Sequence, residues 1–199
     1  MSTTAEPGLR ERKKAATRHA LHDAAVRLAI EHGLERVTVE AIADDAGVSR
    51  RTFSNYFGGK EEALMYGDLQ RVRKLIAGVR ARPAGEPPWA ALTAAAEEFY
   101  RELGALDPQR VAQTRLVRSH PTLLAAQVQT FATVERELAA EVAARAAGLD
   151  PESVRARMTA ASFLVALRLA VSLWLEAPPG TTLGDLAREA LAEAGRGFG

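Results

Sequence analysis

From Leu9 onward the chain is a succession of stretches whose apolar residues recur every three or four positions, each closed by glycine or proline. That period belongs to a helix with one buried face, and no stretch shows the strict alternation of a half-buried strand. Composition agrees. Forty alanines and 23 leucines stand against three isoleucines and three tyrosines, so strong helix formers outnumber strand formers. An all-α fold follows. The 199 residues include no cysteine, which excludes a disulfide scaffold, a zinc ribbon, an iron–sulfur site and a cysteine nucleophile. It fits a reducing compartment, and a cytoplasmic location is expected. The opening MSTTAEPGLRERKK carries basic residues without an apolar h-region, so it does not read as a signal peptide.

The punctuation divides the chain into about nine helices. The first spans 9–32, with Leu21, Ala25, Leu28 and Ala29 on one face and Gly33 as its C-terminal stop. Thr38 caps the stretch VEAIADDAG, with Glu40 in its first turn. Gly47 breaks that helix, and Ser49 caps a third that opens RRTFSNYF. A fourth runs over about 60–82. RPAGEPP, residues 82–88, holds three prolines and a glycine and must be a loop. Helices follow at about 89–104, 108–119, 121–147, 151–177 and 183–195. Asp107-Pro108 and Asp150-Pro151 each set an N-cap before a first-turn proline, and Thr182 with Asp185 approximates a capping box. The apolar run 158–175 carries Arg168 at its middle. A central arginine costs at least roughly 2.5 kcal/mol in a bilayer, so the run reads as a buried helix at a subunit interface, with no membrane partner.

The most informative block is TVEAIADDAGVSRRTFSNYFGGKEEAL, Thr38 to Leu64. Two short helices meet across Gly47-Val48-Ser49, the arrangement in which a second helix enters the major groove of DNA. Val39, Ile42, Ala43, Val48, Phe53 and Phe57 can close a small core with Leu28 and Val37. Arg50, Arg51, Thr52 and Asn55 then point outward from the start of the second helix. Arginine can bind guanine O6 and N7 through two hydrogen bonds, and threonine can offer its methyl to thymine.

This block resembles the DNA-binding domain of the TetR/AcrR family of bacterial regulators. Thr38, Ile42, Ala43, Ala46-Gly47-Val48-Ser49, Thr52, Phe53, Tyr56-Phe57, Lys60-Glu61 and Ala63-Leu64 carry the resemblance. It implies a three-helix DNA-binding domain over residues 1–59 with a basic N-terminal arm, then a helical ligand-binding and dimerisation domain over 60–199. It also implies roles. Thr38 would bond a phosphate; Arg50, Arg51, Thr52 and Asn55 would face bases or adjacent phosphates; Tyr56 and Lys60 would anchor flanking phosphates. With Ser49 opening the recognition helix, the expected DNA-binding set is Thr38, Ser49, Arg50, Arg51, Thr52, Asn55, Tyr56 and Lys60. Two positions depart from the family pattern. Ser54 stands where tyrosine is common, which puts a base contact there in doubt. Gly59 replaces the usual Ser, Asn or Asp before the lysine and is a weaker cap.

The remaining 140 residues must dimerise, bind something, or both. The helices near 151–177 and 183–195 are the expected dimer interface, with Phe163, Leu164, Leu167, Val171 and Trp174 as an apolar stripe. An effector site is expected among Trp89, Phe99, Tyr100, Leu103, Leu116, Phe131 and Phe163. Arg115, Arg118 and Arg168 sit in otherwise apolar helices and can meet a carboxylate or phosphate, or pair with a nearby Glu with their stems buried. The region 106–176 also resembles, loosely, a subgroup of TetR-type regulators assigned acyl-CoA-like ligands, which implies an acyl-CoA-like effector.

No enzyme, cofactor or metal reading stands beside this one. Gly58-Gly59-Lys60 lacks the glycine spacing and preceding strand of a phosphate-binding loop. His19, His22 and Asp23 lack a third and fourth ligand cluster, and Ser119-His120 lacks an orienting acid. Charge distribution completes the argument. The whole chain has 26 basic and 25 acidic residues, for a net +1. Within residues 9–19, Arg10, Arg12, Lys13, Lys14 and Arg18 oppose only Glu11, a local +4. Such an arm can lie along phosphates or enter the minor groove. The expectation is a dimeric repressor released from a double-stranded DNA operator by a small molecule. Two alternatives remain open: a small-molecule carrier with a non-functional helix-turn-helix, and a DNA-binding dimer without an effector.

Overall fold

The structure is a computed structural model that describes residues 8–104 and 108–196, the Gln129 side chain excepted. Among the described residues there are nine α-helices and one 3-10 turn. They are α1 (Leu9–His32), the 3-10 turn Leu34–Arg36, α2 (Val39–Asp45), α3 (Arg50–Ser54), α4 (Lys60–Ala81), α5 (Pro88–Leu103), α6 (Pro108–Ser119), α7 (Pro121–Ala144), α8 (Val154–Glu176) and α9 (Leu183–Gly195). No strand occurs among them.

Most boundaries fall where caps predict. Three differ. The helix opened by Ser49 stops at Ser54, because Asn55 takes the C-cap and the chain tightens, Tyr56 N–H donating to the Phe53 carbonyl at 2.8 Å. Helix α7 ends at Ala144, and Gly148 at φ +75° turns the chain away. Helix α8 begins at Val154 rather than behind Pro151. Ser153 is its N-cap, accepting from Ala156 N–H at 3.2 Å, while Asp150 holds the preceding turn by accepting from Glu152 N–H at 2.9 Å. The expected Asp107 cap lies outside the described residues.

The chain forms two compact units. The first reaches to Asp68 and also takes in Ala112–Leu123; the second comprises Leu69–Val111 and the chain from Leu124 onward. Helices α4 and α6 each contribute to both. In the first unit, Leu21, Ala25 and Ala29 of α1 meet Ile42 and Ala43 of α2, Phe53 of α3, and Ala63 and Leu64 of α4. Val117 and Leu123, far away in sequence, join the same core. His22 Nδ1 hydrogen-bonds the Ala63 carbonyl at 2.8 Å, and Gly67 leaves the space its ring occupies.

In the second unit, α8 supplies the spine: Ala156, Ala160, Phe163, Leu164, Leu167 and Ala170 are buried. They pack with Leu92 and Ala96 of α5, Leu138 and Val142 of α7, and Ala187 and Leu191 of α9. Alanines at these contacts let helix axes approach closely. Helix α8 is long and apolar enough to cross a membrane by length and composition, and one face of it is buried in the core of the second unit. Arg145 braces the far end of α4 by donating to the Val79 carbonyl, which also accepts from Arg82 N–H, and to the Arg82 carbonyl just beyond the helix.

Gly195, in the last turn of α9, lies against the Trp89 indole, and a Cβ there would sit well inside the contact distance of Nε1. Gly195→Ala must displace a rigid ring from a packed core. It is expected to cost about 1–3 kcal/mol of unfolding free energy, read by urea denaturation; an unchanged midpoint would refute this packing.

Candidate nucleic-acid interface

A tight turn and two side-chain caps build the interface. Thr38 has extended backbone and its Oγ1 accepts from Ala41 N–H at 3.1 Å, starting α2. Gly47 adopts φ +68°, a left-handed value that favours glycine, and Val48 N–H donates to the Ala43 carbonyl at 2.9 Å. Ser49 then starts α3, its Oγ accepting from Thr52 N–H at 3.1 Å and meeting Thr52 Oγ1 at 2.9 Å. Phe53 is 1% exposed and anchors α3 inward. With Phe53 inward, Arg50, Arg51 and Asn55 stand exposed, and Thr52 and Tyr56 are half-buried at the margin.

Charge is arranged around this helix. Arg50 Nη1 meets Glu40 Oε1 of α2 at 2.9 Å, both side chains being exposed. Such a pair contributes little stability but biases where the guanidinium points. Arg27 of α1 pairs with Asp45 at the end of α2. Arg10, Arg12, Lys13 and Lys14 are exposed on the first turns of α1. The basic stretch is helical from Leu9, as the sequence predicts, so those charges lie along the first turns of α1.

Lys60 turns inward. Its Nζ donates to the carbonyls of Leu34 at 2.8 Å and Val37 at 3.0 Å. Two of its three N–H donors tie the start of α4 to the segment that leads into α2. A second contact joins the start of α4 to the chain before it. Gly58 N–H donates to the Glu62 carboxylate at 2.6 Å, a reach back from the first turn like that of a capping box. Sequence reading missed this role of Glu62, although an acid three residues beyond Gly59 is its usual signal.

A second omission is the Ala112–Leu123 segment. Gln113, 4% exposed, donates from Nε2 to the Leu64 carbonyl at 3.1 Å, and His120 Nε2 meets Glu35 Oε1 at 2.9 Å. Nothing local in α6 signals that half of it belongs to the first unit. The expected effector residues divide accordingly. Trp89, Phe99, Tyr100, Leu103, Phe131 and Phe163 fall in the second unit, whereas Arg115, Leu116 and Arg118 fall in the first. Phe163 is fully buried and meets Trp89 edge to face at 6.4 Å. Phe99 and Tyr100 meet at 5.3 Å, and burial pushes the Tyr100 phenol up to about 12. Arg168 is exposed on α8.

The expected interface stripe on α8 needs correction. Phe163, Leu164 and Leu167 are core residues, at most 8% exposed. The apolar residues that α8 leaves outside are Val154, Met158, Val165, Leu169 and Leu173. The error arose because both faces of this helix are apolar, so its sequence period could not tell them apart. His19 and His22 bond the carbonyls of Ala15 and Ala63. Among the described residues no cluster of three or more His, Asp or Glu could hold a metal ion.

Residues 21–64 match the family described as bacterial regulatory proteins, tetR family, and residues 86–199 match the MftR C-terminal domain. The chain is 34% identical over 180 residues to the HTH-type transcriptional regulator TcmR of Streptomyces glaucescens, covering 87% of this chain and 79% of that protein. A solved SmeT–triclosan complex superposes with a TM-score of 0.64 at 20% identity, covering 92% of this chain and 91% of that one. Thermus thermophilus FadR in complex with lauroyl-CoA, a TetR-family transcriptional repressor, gives 0.56 at 22% identity, covering 89% and 92%.

The Lys60 contacts give this site a measurable test. Lys60→Met keeps the stem and removes the ammonium, so the Val37 carbonyl loses this donor and the Leu34 carbonyl keeps only the Val37 N–H. A loss of about 1–3 kcal/mol is expected, read by chemical denaturation. A variant as stable as the wild type would return Lys60 to a purely external role.

Proposed function

Because the chain belongs to the TetR family of bacterial transcriptional regulators, we propose that it is a homodimeric repressor that leaves its operator when a small molecule binds the second unit. The single observation that carries the DNA side is the Ser49-capped α3, held inward by Phe53 with Arg50, Arg51 and Asn55 exposed. A helix presented this way places its first residues at base edges, where Arg50 and Arg51 would read guanine. Thr38, Ser49, Thr52 and Tyr56 would bind flanking phosphates, and Lys60 would contribute chiefly by holding α4 in place. The exposed cations of α1 would add a salt-dependent attraction.

Dimerisation is supported by the outer face of α8. Val165, Leu169 and Leu173 are 52%, 50% and 44% exposed and lie on one stripe with Met158. A soluble protein gains by covering such a stripe, and a second copy offers the same surface through a two-fold axis. Dimers of this kind present recognition helices one DNA turn apart, roughly 34 Å.

The effector side rests on the partly buried aromatics Trp89, Phe99, Tyr100 and Phe131 around the second core, with Leu103 nearby in sequence and Phe163 as its floor. They fit an apolar or amphipathic molecule, and an acyl-CoA-like compound is the candidate that the resemblance over 106–176 supplies. Helices α4 and α6 run through both units, so an effector that favours one position of either would bias the DNA-binding unit. Linkage of this kind is worth roughly 1–3 kcal/mol and is reciprocal.

Two measurements test this reading. Arg50→Ala with Arg51→Ala should abolish specific binding to a duplex selected from random DNA while the protein remains dimeric by analytical ultracentrifugation. Retained tight binding would refute the assignment of α3. Leu169→Glu should convert the dimer to monomer and weaken operator binding at least tenfold; an intact dimer would move the interface off this face of α8.

A further inference from the structure

Of the five cations in the basic stretch 9–19, Arg18 is the one that the structure does not leave exposed. Its neighbours Arg10, Arg12, Lys13 and Lys14 are exposed, whereas Arg18 is half-buried. Its guanidinium carbon lies 5.6 Å from the centroid of the Tyr56 ring, 5.9 Å from that of Phe57 and 5.7 Å from that of Tyr66. Its Nε is buried with no hydrogen-bond partner. The negative faces of aromatic rings are the compensation such a group finds. The three rings belong to two segments: Tyr56 and Phe57 directly follow α3, and Tyr66 stands in α4. Phe57 also meets Tyr66 at 5.6 Å and Phe53 at 5.8 Å, so the cluster continues into the anchor of α3.

We propose that Arg18 is a positioning residue for DNA binding: it clamps the Tyr56 ring from α1 and so holds the Tyr56 hydroxyl where it meets a backbone phosphate. The proposal rests on the reading that α3 enters the major groove. Two ring-bearing segments converge on a cation of a third, α1, and one of those rings belongs to the residue expected at the phosphate. A side chain committed to ring faces on this scale is poorly replaced by lysine, whose ammonium is compact and strongly hydrated. Arg18 therefore differs in kind from the four exposed cations before it, which act on phosphates through charge.

The test is a double-mutant cycle in the full-length protein, read as affinity for a selected duplex across a salt series. Arg18→Met should weaken binding about tenfold. Tyr56→Phe, which keeps the ring and removes the hydroxyl, should weaken it by a similar factor. The double variant should bind no more than about twofold worse than either single variant, because both remove the same phosphate contact. The salt slope of Arg18→Met should match the wild type, since a neutral phenol contact releases no counterion. Additive losses, or a slope reduced by about 0.9 per site, would mean that Arg18 touches phosphate itself and would overturn the proposal. Arg18→Lys serves where the methionine variant does not fold. It should bind about fivefold more weakly than the wild type with an unchanged slope, and wild-type affinity would overturn the proposal equally. If the wild type binds no selected duplex, the DNA-binding reading fails first and takes this one with it.

Discussion

A helix of five residues cannot hold itself in water, because its nucleation cost is repaid only over several turns. Helix α3 is such a helix, and it is the element expected to read DNA. Everything around it substitutes for the length it lacks. Ser49 satisfies a first-turn donor, and Phe53 converts one face of the helix into core. Gly47 allows the turn that brings α2 alongside. Lys60 ties the start of α4 back to the segment entering α2, and Arg18 sits on the rings that follow α3. The outward side chains owe their placement to this scaffold, which leaves α3 only one way to face.

The second unit meets a different constraint. Its helices are long enough to form readily, and its problem is register between nearly featureless alanine-rich faces. Specific close approaches supply that register. Gly195 of α9 admits the Trp89 indole, and Gly184 lies against Tyr100. Arg157 of α8 makes a two-pronged contact with Glu135 of α7, at 2.6 and 2.7 Å. This ion pair holds the Arg157 guanidinium above its ordinary range, with the Glu135 hydrogen bond as the main cause. Arg145 performs a similar service at the end of α4. A fork of donors fixes orientation as well as distance, which a single lysine cannot do.

Some of this was legible in the chain. Caps announce themselves locally, so Thr38, Ser49 and Thr182 were found where the structure has them. Asp150 was misread because Ser153 competes for the same task three residues later, and choosing between two local signals needs the surrounding packing. The two inward bonds of Lys60, a residue expected at a flanking phosphate, were not legible because its partners are backbone carbonyls, which carry no side-chain signature. Glu62 was overlooked although its spacing from Gly59 was visible.

The sequence by itself determined the helical class, the order of the helices and the recognition motif. Each depends on contacts between residues a few positions apart, and short-range chemistry is written in short-range spacing. Only the tertiary structure decided which face of α8 is core and which stays outside, since both are apolar. It alone brought Gln113, Val117 and Leu123 into the first unit and turned Arg18 onto three rings. These outcomes depend on which helices meet, and burial is a property of the assembled chain rather than of any stretch within it.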